Sequence, residues 1–530
     1  MKYSIHLILA TFIAAFSGFS QENDTSGNHK NRLEIETDKN LSHKVIPYGE
    51  KLIVITDNER KEMGKKFWKV NIYDNKLEAL GEVIIEPKSS INKLKAAKIV
   101  NEHLFLLMQY YRSNQMYEQA LELYKIDLNT LGLQDLEYEK PIRNPKENTN
   151  SNILHVIGEN YFITGYIASG FGYEGETFVH INPGSDQEKV LYVKNELMNS
   201  KRNQFYKLLP VLTDKDKELI AVAVSVKLEE GSQGHVFIFN IEGEIESSFN
   251  TSTAFKGEDV KLSSLNNTYV SDDQNIYIGT YVTPESAGKK ALNFFGISER
   301  GDAEGLYFIK ETNGKISEKK LVSFLELEKF EKIARSNWTG STISKNNKGE
   351  EVFSSEFLTY DLIRMGEKIF FIGETYNPVT QTYMDNNGNM RERLIGHDHN
   401  FALIICFDQS LEICYHEVVP IHEFISGSLY RILSIDDNEE DNSLRISWSG
   451  SKTRCTYTVS SSGIATRDEQ ITFIETDNES EKIKKSTNSY TMQWYDGNYI
   501  ITGKQKIKDR ETGKKRYVFY INHYEYSTKD

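Results

Sequence analysis

The sequence predicts an all-β chain of eight four-stranded antiparallel units, the last completed by a strand from the amino terminus. Three observations carry this expectation. A polar turn leading into an apolar strand recurs eight times, hairpins with tight polar turns follow the copies, and the final copy stops one strand short.

The eight copies, in order, are GEKLIVIT at Gly49, NEHLFLLM at Asn101, GENYFITG at Gly158, DKELIAVA at Asp216, DQNIYIGT at Asp273, GEKIFFIG at Gly366, DNSLRISWSG at Asp441 and DGNYIITG at Asp496. After each comes a second strand pair, such as HVFIFNIEGEIESSF from His235, GLYFIKETNGKISEKKLV from Gly305 and ALIICFDQSLEICYHEV from Ala402. Glu242-Gly243 and Asn313-Gly314 supply Gly where a hairpin turn needs positive φ. An apolar stretch precedes the first turn, as in LKAAKIV from Leu94, giving strands a, b, c and d. The period is about 55 residues, against about 20 to 30 for a solenoid turn. Strands such as YFITG and IFFIG are continuously apolar, as expected where both faces of a sheet are covered. The last unit, from Asn488 to Tyr526, ends after strand c. The segment Arg32 to Asp38 alternates like a strand and is expected to complete that unit, removing an edge open to aggregation.

Two insertions break the period, near 283–304 and 322–357. The second predicts a helix packed over a junction between units. Ser323 and Glu326 fit a capping box, Leu327, Phe330 and Ile333 share a face, and Glu328 precedes Lys332 at a favourable spacing.

The first twenty residues, with Lys2, an apolar core from Ile5 to Phe16 and small residues at Gly18-Phe19-Ser20, read as a secretory signal peptide. Residues 21–31 are expected to be a flexible lead-in, and 32–530 one domain. Because no cysteine follows the apolar core, a released form, secreted or periplasmic, is expected. A chain of 530 residues usually divides into several domains, but radial repetition holds such a length in one unit. Composition, 38% hydrophobic and 26% charged with 9 Pro, is that of a folding chain. The net charge of −14, or −15 without the leader and its Lys2, argues against nucleic acid as a partner, and no later stretch is long enough for membrane insertion. Three cysteines cannot carry the stability of so long a chain.

The connectors from b to c are expected to be long loops gathered on one face: Asp57 to Lys66, Gln109 to Gln119, Gly165 to Glu176, Val224 to Gly234 and Glu374 to Asn400. Loops on a rigid scaffold concentrate function, which makes that face the candidate binding site. Tyr166, Phe171 and Tyr173 lie in GYIASGFGYEGE, a composition suited to flat contacts with sugar or peptide, although a hairpin tip with packed aromatics has the same composition. Tyr110, Tyr111, Tyr376 and Tyr383 in comparable connectors complete an expected aromatic rim. His397 and His399 precede strand c at a spacing that holds a divalent cation, the one cofactor the sequence suggests, with His416 and His422 as distant additions. The alternative is a solvated polar hairpin. The Asp385 segment opens like a calcium loop, but Met390 and Gly396 stand where Gly and Glu are needed. Cys406 and Cys414 flank the turn Asp408 to Leu411, where a cross-strand disulfide and burial as small apolar side chains are both open to them. No phosphate loop and no G-x-S-x-G in a strand-turn-helix setting is present.

These units, from Lys44 to Tyr526, resemble those of β-propellers, here eight-bladed with seven blades the alternative. The GH and WD dipeptides of WD40 repeats and the paired glycines of kelch blades are absent. The resemblance implies a disc with a polar central channel and binding at one end, and no reaction. The function expected is noncatalytic binding or scaffolding at the cell envelope by a monomer, with glycan or protein as partner. The alternative is an exported polysaccharide hydrolase or lyase with carboxylates at the channel mouth.

Overall fold

The computed structural model describes residues 29–525 apart from connecting segments, the longest at 137–146, 194–205, 283–299 and 461–469. The expected leader, most of the lead-in and most of the first insertion lie outside the described residues. Among the described residues eight antiparallel sheets follow one another along the chain. The first is typical: His43–Tyr48, Lys51–Glu62, Lys65–Tyr73 and Ala79–Ile85, hydrogen-bonded in chain order.

Seven of the eight repeated apolar motifs form the second strand along the hydrogen-bonded order of their sheet, and GEKIFFIG of the sixth comes third, behind Arg300–Ala303 and Glu351–Thr359. The residues leading into them explain the turn signal. Gly49, Asn101, Glu102, Gly366, Asn442 and Gly497 all have φ between 41° and 67°, a region that favours Gly and Asn. The second strands are apolar on successive residues because both faces are covered. Leu52, Ile53, Val54 and Ile55 are all fully buried. Even residues of such a strand pack on one neighbouring sheet and odd residues on the other.

Contacts between sheets follow the chain. One core joins Ile53, Ile55 and Val70 of the first sheet to Leu104, Leu106 and Ile126 of the second. A further core joins the second and third through Leu107, Leu123, Leu154 and Ile163. The short strand Leu212–Asp214 of the fourth sheet lies against strands of the third and fifth. Larger cores join the fifth to the sixth and the sixth to the seventh. Ile474, just after the seventh sheet, packs with Tyr499, Ile501 and Tyr520 of the eighth. The succession then returns to its beginning. Val45, Leu52 and Val54 of the first sheet share a core with Trp494, Ile500, Phe519 and Ile521 of the eighth. The Trp494 indole N–H donates to the Lys51 carbonyl across that junction at 3.1 Å.

The eighth sheet takes its fourth strand from the amino terminus. Asn31–Glu36 pairs antiparallel with the last strand, with Asn31 opposite His523 and Glu36 opposite Val518. Arg32 anchors it. Its side chain is 1% exposed, donates at 2.8 Å to both Gln505 Oε1 and Asn522 Oδ1 and at 3.0 Å to the Glu475 carbonyl, and lies 5.0 Å from the Tyr520 ring centre.

The second insertion forms a 3-10 turn, Phe324–Glu326, and then helix α1, Glu328–Arg335. Ser323 caps the turn by accepting from the Leu325 N–H at 3.2 Å. Phe324, Leu327, Phe330 and Ala334 are buried between the fifth and sixth sheets, with Phe330 edge-on to Phe401 and Phe324 stacked on Phe357. The pair Glu331–Arg335 forms four residues apart at 2.8 Å. The end of the first insertion, Arg300–Ala303, leaves its own sheet and pairs with Glu351–Thr359 of the sixth.

The expected long b to c loops are in large part paired strand. Glu62 pairs with Lys65, Leu228 with Gly231 and Ala168 with Gly175. Of Glu374 to Asn400, only residues 385–389 lie outside the strands Lys368–Met384 and Met390–Phe407. The physical reason is that a two-stranded ribbon standing clear of its sheet has solvent on both faces. It therefore needs no apolar pattern, and its residues read as loop.

Two predictions follow from the closure. Replacing Arg32 with Met leaves Gln505 and Asn522 without their buried donor and should lower the unfolding free energy by about 3 kcal/mol in urea titration. His43, stacked on Phe519 at 4.2 Å, and His523, bonded to Asn498 Oδ1 at 2.7 Å, are both pushed down to about 4 by burial. Between pH 6.5 and 4 the unfolded chain therefore takes up protons that the folded chain refuses. Their contribution is full above about pH 6.5 and falls away as the pH drops towards 4. The melting temperature should fall across that window, and the double variant His43→Gln/His523→Gln should flatten the fall.

Candidate functional site

The sixth sheet departs most from the common unit. Its strands Lys368–Met384 and Met390–Phe407 are 17 and 18 residues long. The ladder from Thr380 opposite Leu394 to Met384 opposite Met390 has five pairs, about 17 Å of two-stranded ribbon at roughly 3.4 Å per residue. A free two-stranded hairpin is marginal in water, so its own side chains must hold it. Asp385 closes the tip by accepting from the Asn387 and Asn389 N–H groups at 2.9 Å and from Arg391 Nε at 2.7 Å. Gly388 takes φ +79° in the same turn. These bonds, with Arg391, draw the Asp385 carboxyl below the usual range. Arg393 bonds Gln381 Oε1 at 2.9 Å and lies 5.8 Å from the Tyr383 ring centre.

Alternation then separates two faces. Gln381, Tyr383, Arg391 and Arg393 share one, whose polar groups bond among themselves. Thr380, Thr382, Met384, Met390, Glu392 and Leu394 share the other. Met384 is 67% exposed and Met390 66%, an apolar pair at the tip of the ribbon, and Leu394, 53% exposed, lies at its root on the same face with Thr382 and Glu392 between.

At the root of the ribbon is a buried polar cluster, where the sixth sheet meets the seventh. Glu374 and His399 are fully buried, with Glu374 Oε1 3.6 Å from His399 Nδ1. Neither ring nitrogen of His399 and not Oε2 of Glu374 has a hydrogen bond, and the same is true of Thr359 Oγ1 and Trp448 Nε1 nearby. Buried groups of this kind are rare in folded proteins. The connector from the sixth to the seventh sheet closes over them. Ile432 N–H donates to Glu374 Oε1 at 3.2 Å, and Leu433 N–H donates to the Tyr360 hydroxyl at 2.9 Å. Tyr360, with Arg431 5.3 Å from its ring centre, is held well above the usual phenol range by burial and by the Glu374 charge.

Glu423 lies opposite His399 on the strand Ile413–Ser426. Burial raises its carboxyl, and the nearby His399 opposes the rise. A side chain at Gly450 would collide with that carboxylate, so glycine is what admits it. The ladder slips between His399 and Phe401, and opposite the slip His422 adopts φ +55°, a strained conformation for a side-chain-bearing residue.

The structure brings some predicted site residues together and separates others. Tyr376 is buried, edge-on to His397 at 5.6 Å and tilted against His399 at 6.2 Å between ring centres. Tyr383 is exposed, seven residues further along the same strand, about 23 Å away. The two do not share a rim. Tyr166 is in the strand Asn160–Ser169 opposite Thr177, while Phe171 and Tyr173 lie outside the described residues. His397 and His399 are both buried, whereas His416 accepts from the Lys329 N–H at 3.1 Å beside helix α1. Among the described residues no group of three or more His, Cys, Asp and Glu is disposed to hold a metal. Glu374, Glu423, Tyr360 and Trp448 were not singled out in the sequence, and nothing in their local pattern marks them.

No family model matches the sequence, and no curated protein does. Solved structures do resemble the fold. One from work on two prolyl endopeptidases has a TM-score of 0.39 at 9% identity, over 89% of this chain and 54% of that one. This chain thus spans about half of that protein's length. The polysaccharide lyase Uly1 has a TM-score of 0.39 at 8% identity, over 97% and 95%. The β-propeller domain of the Trilobed protease from Pyrococcus furiosus has 0.35 at 12% identity, over 82% and 99%. The similar structures thus include β-propellers. Likeness at this level extends to no activity.

The buried pair at the root of the ribbon, whose hydrogen-bonding capacity is only partly met, gives a prediction. If Glu374 and His399 are kept for a task other than stability, removing both should not weaken the fold. Glu374→Met/His399→Leu is expected to match the parent or exceed it by about 1–3 kcal/mol in urea titration. A loss of that size would assign the pair to the fold instead.

Proposed function

We propose that the eight sheets are eight blades of one closed propeller, and that the protein is an exported, noncatalytic binding module whose partner is a protein. The observation that carries this reading is the ribbon of the sixth sheet, braced on one face and presenting Met384, Met390 and Leu394 on the other. Exposed thioethers and a leucine suit adaptable contact with protein side chains. A sugar site would instead present flat aromatic platforms with convergent hydrogen-bonding groups, and Tyr383, the one exposed aromatic of the ribbon, faces the other way beside Arg393. Arg391, Glu392 and Arg393 place charge along the open edges of the ribbon, which discourages strand-to-strand self-association and supports a monomer.

A second reading, hydrolysis or lyase cleavage of a polysaccharide, draws on the cluster at the ribbon's root. There a carboxyl raised by burial, Glu423, faces His399, with Glu374 on the other side of the imidazole. Raised carboxyls suit general acids.

The two readings separate in one experiment. Replacing Thr380 to Leu394 with Asn-Gly shortens the ribbon without touching the cluster, and Glu423→Gln changes the cluster without touching the ribbon. Under the binding reading, cross-linking to envelope proteins is lost with the short ribbon and unchanged in Glu423→Gln. Polysaccharide depolymerisation by the parent, abolished in Glu423→Gln and kept with the short ribbon, would replace it with the enzymatic reading.

A further inference from the structure

The strand pair Met390–Phe407 and Ile413–Ser426 carries a feature that the binding reading does not use. Its hairpin closes through Asp408, whose N–H donates to the Glu412 carbonyl at 3.1 Å, with Leu411 at φ +62°. Beyond the turn, Phe407 pairs with Ile413 and Cys406 with Tyr415, so Cys414 is the additional residue of a bulge. Two residues of a bulge oppose one on the partner strand, which brings Cys414 as well as Tyr415 beside Cys406. The Cys406 thiol is within hydrogen-bonding reach of both side chains. The two thiols differ in access. Cys406 is fully buried in the core between the sixth and seventh sheets, whereas Cys414 is exposed and has its sulfur 3.9 Å from the Glu412 carbonyl oxygen. Cys406, Cys414 and Cys455 are in no disulfide in this structure. Tyr415 is the residue directly opposed to Cys406, and the bulge sets Cys414 beside it, so the two thiols can meet across the ladder.

We propose that Cys406 and Cys414 are a modification site, a thiol pair that a small-molecule disulfide oxidises to an intrachain bond across the bulge. The exposed Cys414 thiolate attacks one sulfur of the oxidant, breaks its S–S bond and expels one thiolate. The Cys406 thiolate then attacks the Cys414 sulfur and expels the second. Two cysteine S–H bonds are exchanged for one S–S bond, the two protons end on the two released thiols, and the oxidant is the species reduced. Burial pushes the Cys406 thiol up to about 12, so the second step is the slow one and should accelerate about tenfold per pH unit between neutrality and pH 9.

The test uses the full chain, reduced, desalted, and incubated with oxidised glutathione at pH 7 to 9. Samples are quenched in acid, alkylated after unfolding and mapped by mass spectrometry. The expected product is a peptide joining Cys406 to Cys414, with Cys455 alkylated and the glutathione adduct on Cys414 transient. Cys406→Ser should stop at the adduct, and Cys414→Ser, an exposed change, should leave Cys406 reduced. A lasting adduct on Cys414 of the parent, a bond from either residue to Cys455, or oxidation of Cys406 at the parental rate in Cys414→Ser would overturn the assignment.

Discussion

A sheet that is apolar on both faces has no stable existence alone, and the architecture follows from that constraint. The second strand of the first sheet is buried on successive residues, so it requires a neighbour on either side. The sheet that follows supplies one, through Ile55 and Leu106. The other comes from the far end of the chain, where Trp494, Ile500 and Phe519 cover Val45, Leu52 and Val54. Closure is thus the only way for the first and last sheets to be as well covered as the rest. The amino-terminal strand completes it, and Arg32 holds that strand through four guanidinium hydrogen bonds.

The sixth sheet shows what the repeated plan tolerates once closure is secured. It accepts Arg300–Ala303 from the connector of its neighbour, and helix α1 seals its junction with the fifth sheet through Phe324 and Phe330. Extra cover on the two sides makes it a firm base for a long ribbon. The same sheet bears the strained His422, the buried His399 and a Glu374 with one oxygen lacking a hydrogen bond. Local conformations and buried groups of this sort persist only where the surroundings over-determine them.

Much of the fold is legible because the repeat is enforced locally. A Gly or Asn at positive φ leads into five of the apolar strands, and such a strand is buried on both faces, so the motif announces its place within a few residues. The helix is legible for a similar reason, since Ser323, Leu327 and Phe330 are close in sequence as well as in space. The ribbon is not. Thr380 to Met384 and Met390 to Leu394 pair only with each other and face water on both sides, so neither alternation nor apolarity distinguishes them from a loop. The cluster is hidden for a different reason. Tyr376, His397 and His399 stand out as residue types, but the setting of His399 depends on Glu374 and Glu423, which come to it from the strands on either side.

The sequence by itself determined the strand class, the order of the units and the source of the strand that completes the last one, because those depend on turn chemistry and on apolar runs within a few residues. Tertiary structure alone decided that one hairpin extends as a ribbon while Tyr376 sinks into a junction. It also decided that Cys414 stands beside Cys406 and that two carboxyl groups flank one imidazole. Those arrangements arise from ladder register, a single bulge and the packing of one sheet on the next. Moving a strand by one residue would turn every one of these side chains to the opposite face without altering the composition at all.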